Sequence, residues 1–238
     1  LINLTLKLGK KILKKKNLNL IEKILNFLCQ NLVRKKIEKQ FGGDLQAFIS
    51  GGGALDENIG EFLNALGLPT LQGYGLTEAS PVVSCNLPDL VKVDTVGPAF
   101  RTNKIKIAYD GEILVKGENV MLGYWNNKEE TDKVIKNEWL HTGDIGEIDN
   151  NGYLKITDRK KDIIVNLGGD NIAPSKIENI LCLNEFIKQS FVYGDKKNYL
   201  VAIIISNNEA DREKIKFILE NINKNLTQIE KIKKFNFL

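Results

Sequence analysis

Histidine is all but absent from this 238-residue chain; His141 is the only one. A histidine-built metal centre and a Ser-His-Asp arrangement therefore find no support in the sequence. A lone imidazole beside a ligand site invites a general-base role, but His141 is read here as structural. Cysteine is scarce too. Cys29, Cys85 and Cys182 are odd in number and scattered. They match no zinc spacing and no disulfide framework, so a reducing cytoplasm is the expected setting. Apolar runs are short: none nears the roughly 18 residues that suggest a membrane span. The longest candidate, residues 199–205, reads as a buried strand. The first residues have no continuous apolar core, so no secretory signal is expected in them. The glycines at 51–53 are followed by no Gly-Lys-Ser/Thr, which excludes a Walker phosphate loop there.

Arginine is the scarce cation, four residues against 30 lysines. Net charge is +4, unevenly placed: residues 1–40 hold eleven Lys/Arg and two Glu, +9, and the remainder carries −5. Such an arm raises the question of nucleic acid or anionic lipid. The lysine skew speaks for compositional bias rather than a phosphate-reading surface. A solvated basic helix is the reading taken, no nucleic-acid partner is expected, and peripheral membrane contact is the alternative.

The informative stretch is residues 72–78, Gln-Gly-Tyr-Gly-Leu-Thr-Glu. Its glycines bring backbone close to a ligand. A tyrosine ring can cover a nucleobase, a hydroxyl can bond a phosphate oxygen, and a carboxylate can hold Mg²⁺. Two further clusters follow: Trp-Leu-His-Thr-Gly-Asp at 139–144 and Asp-Arg-Lys-Lys-Asp at 158–162.

Periodicity supplies the frame. Ile21, Ile24, Leu25, Leu28 and Leu32 recur at helical spacing and predict an amphipathic helix over about 18–39. Residues 47–49 read as a short buried strand and 68–71 as another short strand, flanking a helix at 56–66, which Gly67 stops. Strand, helix, strand and ligand loop in that order is α/β logic, with the site at a strand's carboxyl end. From residue 96 the texture becomes β, with short runs at 105–108, 113–115, 145–148 and 153–156, Asp-Gly and Asn-Gly turn signals, and a helix at 129–136. A smaller segment then reads as strands at 163–165, 191–193 and 200–205 with helices at 174–182 and 210–223.

These clusters, in this order, resemble the acyl-adenylate-forming superfamily of acyl-CoA synthetases, luciferases and peptide-synthetase adenylation domains. The resemblance takes in Ser-Gly-Gly-Gly-Ala-Leu at 50–55, Gly-Glu-Ile-Leu-Val-Lys-Gly at 111–117, Met-Leu-Gly-Tyr-Trp-Asn at 121–126, Gly-Gly-Asp-Asn-Ile-Ala-Pro at 168–174 and Lys-Ile-Glu at 176–178. The wording at 158–162 and 168–174 is most similar to long-chain fatty acyl-CoA synthetases. The implied fold is α/β plus a β-barrel-like subdomain, followed by a small α+β C-terminal domain. Residues 1–159 would be the C-terminal part of the large AMP-binding domain, α/β to about 95 and β-rich from 96 to 159; residues 160–238 would be an incomplete small domain.

The resemblance also implies roles. Tyr74 stacks on adenine, with Gly52, Gly53 and Gly75 nearby. Thr77 contacts the α-phosphate, and Glu78 is the Mg²⁺-linked carboxylate; these two are the expected catalytic residues. Asp144 accepts from both ribose hydroxyls, and Arg159 reaches the ribose. Lys161 sits at the hinge, and Gly168 and Gly169 face the CoA thiol channel. ATP or AMP, Mg²⁺ and CoA follow as ligands, and a fatty acid as substrate.

The family's Gly/Ser/Thr-rich phosphate loop and its terminal lysine have no counterpart here, so a ligase portion truncated at both ends is expected, inactive alone. The alternatives are a non-catalytic remnant, half of a split enzyme that needs a separate N-terminal polypeptide, or a synthetase that uses an acyl-carrier-protein thiol.

Overall fold

A computed structural model describes residues 1–208 and 211–238. They cluster into two compact units. The first is Leu1–Thr142 with Gly146–Ile156; the second is Gly143–Ile145 with Thr157–Leu238.

In the first unit, α1 (Ile2–Leu13) buries Thr5, Leu8 and Gly9. α2 (Leu20–Cys29) starts in a capping box: the Asn19 side chain accepts from Glu22 N, and the Glu22 carboxylate accepts from Asn19 N. One π-turn, Gln30–Arg34, joins it to α3 (Lys35–Gln40). The predicted helix over 18–39 is thus one helical run with a widened turn. That turn aims Arg34 inward, where it is 6% exposed. Arg34 donates to the carbonyls of Thr5 and Ala65 and to the Asn26 side chain, tying three helical segments together.

β1 (Phe48–Ser50) lies parallel to β2 (Thr70–Gly75), which pairs antiparallel with β3 (Val82–Cys85). The helix between, α4 (Glu57–Ala65), is capped by Asp56, which accepts from Ile59 N. Gly9 lets α1 and α4 cross closely, since a Cβ there would sit 2.5–2.7 Å from Ala65. Beside the crossing, Glu61 takes Lys10 and Lys14 at 3.2 and 2.7 Å. Two sequence expectations change. β1 is partly exposed rather than buried, because it is an edge strand and Ile49 faces solvent at 67%. β2 runs on through Gly75, so Tyr74 belongs to a strand and not to the loop after one.

The β-rich region holds β4 (Lys104–Ile107), β5 (Glu112–Lys116), α5 (Lys128–Val134), β6 (Ile135–Lys136), β7 (Trp139–Ile148) and β8 (Leu154–Arg159). The strands run β4-β5-β7-β6, with β8 also on β7. They form an open sheet, not the barrel-like closure expected: β6 contributes two residues, too few to continue a closed ladder. Tyr74, Val83, Val96, Ile113, Leu140 and Leu154 form the core here.

The second unit continues with the antiparallel pair β9 (Ile164–Val165) and β10 (Asn171–Ile172), then α6 (Pro174–Cys182). β11 (Ile187–Tyr193) is antiparallel to β12 (Leu200–Ser206), and β12 is parallel to β13 (Ile232–Phe237). α7 (Arg212–Asn225) covers the sequence helix placed at 210–223, except that Ala210 lies outside the described residues. Ile177, Leu181, Ile204 and Ile215 are fully enclosed. β12 is half-buried rather than buried: Leu200, Ala202 and Ile204 face the core, while Ile203 is 41% exposed. Among the described residues no helix is long and apolar enough to cross a membrane.

Candidate functional site

In the first unit the site grows from the carboxyl ends of two parallel strands. Register sets Ser50 opposite Gln72. The glycine loop at 51–53 therefore leaves β1 beside Gly73, and its Gly52 and Gly53 are exposed with open space around them. Gly75 has to be glycine for packing reasons. A Cβ there would lie 1.9 Å from the Pro81 carbonyl, which accepts from Leu76 N at 2.9 Å. That reversal produces one 3-10 turn, Thr77–Ala79, closed by Ser80 in the left-handed region at φ +51°. The turn leaves Thr77 exposed and Glu78 half-buried. Tyr74 is 8% exposed and sits in the core cluster.

A second segment is laced to this turn. Asn119 Nδ2 donates to the Ala79 carbonyl at 2.7 Å, and Met121 N to the Glu78 carbonyl at 2.8 Å. The Tyr124 hydroxyl donates to Glu78 Oε1 at 2.8 Å. That bond to an anion, with burial and the nearby Glu130 adding to it, pushes the Tyr124 phenol above its ordinary value. Sequence reasoning used Tyr124 only as part of the 121–126 motif and gave it no role. Forty-six residues separate it from Glu78, and no local periodicity joins them.

Glu78 suits a hard cation such as Mg²⁺, which takes one or two protein carboxylates and completes its shell with water and phosphate oxygens. Among the described residues no group of three or more His, Cys, Asp or Glu could hold a metal. His141 Nδ1 lies 3.0 Å from the buried Glu112 carboxylate, a pairing inside the sheet.

The second unit carries the other predicted residues. Lys160 N donates to the Gly143 carbonyl at 2.8 Å, and Thr157 Oγ1 to the Ile145 carbonyl at 3.3 Å. This lacing brings Arg159 Nε to 3.5 Å from Asp144 Oδ1, with the Asp144 side chain 15% exposed and that of Arg159 64%. Asp158, which sequence reasoning quoted only within the 158–162 cluster and gave no role, accepts from Arg159 N at 2.6 Å through Oδ1. Its Oδ2 is buried without a hydrogen-bond partner among the described residues. Burial raises its pKa, and the neighbouring Asp162 and Glu178 act in the same direction. Lys161 is exposed just past β8. Gly168 and Gly169 are exposed at the tip of the β9–β10 hairpin, which the paired Asn166 and Asp170 side chains close. The structure thus groups Tyr74, Gly75, Thr77 and Glu78 in one unit, and Asp144, Arg159, Lys161, Gly168 and Gly169 in the other.

A family model described as "AMP-binding enzyme" matches residues 16–125, and one described as "AMP-binding enzyme C-terminal domain" matches residues 161–235. The long-chain-fatty-acid–CoA ligase FadD15 of Mycobacterium bovis is 41% identical over 179 residues, covering 75% of this chain and 30% of that protein. Long chain acyl-CoA synthetase 1 of Arabidopsis thaliana is 39% identical over 191 residues, covering 74% of this chain and 29% of its own length. Among solved structures, the O-succinylbenzoate coenzyme A synthetase of Bacillus subtilis with ATP and magnesium ion superposes with TM-score 0.71 at 29% identity. That match covers 81% of this chain and 42% of the other. The chain spans about 30% of the length of these two ligases.

Proposed function

The chain belongs to the AMP-binding enzyme family, and from that premise we propose that it carries the nucleotide- and cation-binding portion of an ATP-dependent long-chain fatty acid–CoA ligase. The supporting observation is the Thr77–Ala79 turn. It places Thr77 and Glu78 in succession just past the carboxyl end of β2, where a nucleotide is expected in an α/β sheet.

In this reading the substrate carboxylate attacks the α-phosphorus of ATP, pyrophosphate leaves, and the CoA thiolate then displaces AMP from the acyl-adenylate. Thr77 Oγ1 orients an α-phosphate oxygen by a hydrogen bond. Glu78 would hold Mg²⁺, which would supply charge stabilisation to the crowded phosphate oxygens. Tyr74, Gly75 and the loop with Gly52 and Gly53 adjoin the adenine. Asp144 accepts from the ribose diol and Arg159 steadies it. Lys161 is the pivot on which the segment from residue 160 turns, bringing Gly168 and Gly169 to the pantetheine arm. The phosphate loop and the rest of the acyl pocket lie outside these 238 residues, on the same or a separate polypeptide. The exposed apolar residues of α2 suit contact with that part. A cytoplasmic setting follows from the reaction's ATP and CoA.

Calorimetry and product assay test this. The chain should bind AMP, and Asp144→Asn should weaken that binding about tenfold, as expected for a charged hydrogen bond. With ATP, Mg²⁺, CoA and palmitate it should yield palmitoyl-CoA only when a polypeptide supplying the upstream part is added, and o-succinylbenzoate should be the poorer acid. Robust thioester formation by the chain alone would refute the division of labour. AMP binding indifferent to Asp144 would refute the site.

A further inference from the structure

Glu78 stands on a single turn, half in solvent, where an unsupported glutamate has several rotamers open to it. The segment 119–124 removes that freedom. Two of its bonds fix the turn's backbone, at the Glu78 and Ala79 carbonyls. The third, from the Tyr124 hydroxyl, fixes the carboxylate itself. Tyr124 is in turn anchored: its N–H donates to Thr131 Oγ1 at 2.9 Å, and that hydroxyl donates to the Asn127 carbonyl at 2.8 Å, on the first turn of α5.

We propose that Tyr124 is the positioning residue for Glu78, its hydroxyl holding one carboxylate oxygen so that the other is kept for a divalent cation shared with a nucleotide. The inference rests on the reading of Glu78 given above. The donor type matters. A lysine or arginine here would neutralise the carboxylate and compete with the cation, whereas a phenol orients it and leaves its charge intact. A carboxylate has about four acceptor sites, so one bond to Tyr124 leaves room for a metal. The aromatic ring also has only two side-chain torsions, so it gives a rigid mount at small entropic cost.

The test is Mn²⁺ binding to the whole chain with ATP, read by electron paramagnetic resonance of free Mn²⁺, alongside calorimetry of metal-free AMP. Tyr124→Phe keeps the ring and removes only the hydroxyl. It should weaken Mn²⁺ in the ternary complex roughly three- to tenfold, the range one hydrogen bond supplies, and leave AMP affinity unchanged. Glu78→Gln should lose the Mn²⁺ dependence, and adding Tyr124→Phe to it should cost nothing more. A purely structural tyrosine would instead weaken AMP and Mn²⁺ together, in both backgrounds, and that result overturns the proposal. So does a Tyr124→Phe chain that holds Mn²⁺ like the parent while Glu78→Gln does not. If the parent chain shows no Mn²⁺-dependent binding, or Glu78→Gln matches it, the underlying reading of Glu78 falls and the positioning role falls with it.

Discussion

The small C-terminal unit and the first fifty residues use similar apolar material to opposite effect. In the small unit, α6, α7 and the β11–β13 sheet enclose Ile177, Leu181, Ile204 and Ile215 completely. At the other end, α2 presents Leu20, Ile21 and Phe27 at 76%, 69% and 68% exposure, and edge strand β1 adds Ile49 at 67%. Large exposed apolar side chains are open to contact, and an open strand edge to further pairing. Helical periodicity tells that a face is made for burial. It does not tell what buries it. The small unit encloses a core of its own, although Leu167 and Phe217 stay 65% exposed, whereas α2 leaves most of its apolar residues exposed.

The largest test of this contrast is a pair of truncations. Ile204→Ala removes a fully enclosed side chain and should cost about 3 kcal/mol, transfer and cavity terms together. Hydrogen exchange should report the loss in the second unit. Phe27→Ala, from a mostly exposed site, should change stability by no more than about 0.5 kcal/mol. If the two cost the same in urea denaturation, α2 is already covered and the contrast fails. Next in size is Gly9→Ala, which drives a methyl into Ala65 across the α1–α4 crossing. Overpacking of this kind costs about 1–3 kcal/mol. A neutral result would mean that the two helices pack loosely, and the first fifty residues would then lack even the close contact assigned to them.

These regions also differ in how far they could be read beforehand. β10 and β13 escape the sequence reading, but the small unit's α6 and β12 announce themselves: α6 carries Ile177 and Leu181 at helical spacing and β12 alternates Leu200, Ala202 and Ile204. α1 does not. Its leucines at 4, 6 and 8 alternate like a strand, while the face it buries is Thr5, Leu8 and Gly9, two of which no apolar pattern registers. The nucleotide-type residues at 74–78 stood out by type, yet their placement did not: β2 continues through two glycines that argue against a strand. The Tyr124–Glu78 bond, the Arg34 cluster and the orphaned Asp158 oxygen join or isolate atoms through tertiary packing, which spacing along the chain does not encode.

The smallest effect belongs to an exposed turn between β7 and β8, neither helix face nor core. There Asp149 Oδ1 accepts from Asn151 N and Tyr153 N at 2.8 and 3.0 Å, and Oδ2 pairs with Lys92. The Lys92 ammonium first, then the backbone donors, hold the Asp149 carboxyl down at about 2. The folded pKa is depressed, so the ionised form is the one that folding favours. The stabilisation is therefore complete above the ordinary aspartate value of about 4 and fades as pH falls toward about 2. The urea midpoint of the parent should exceed that of Asp149→Asn at about pH 6, and the gap should narrow steadily below about pH 4. Lys92→Met should remove only the salt-sensitive share of the gap, since the backbone donors are not screened. Because the turn is exposed and locally closed, this loss should leave the buried small-unit core and the α1–α4 crossing unchanged in hydrogen exchange. A gap that widens on acidification would mean that the carboxyl is raised rather than lowered and that Lys92 does not hold it.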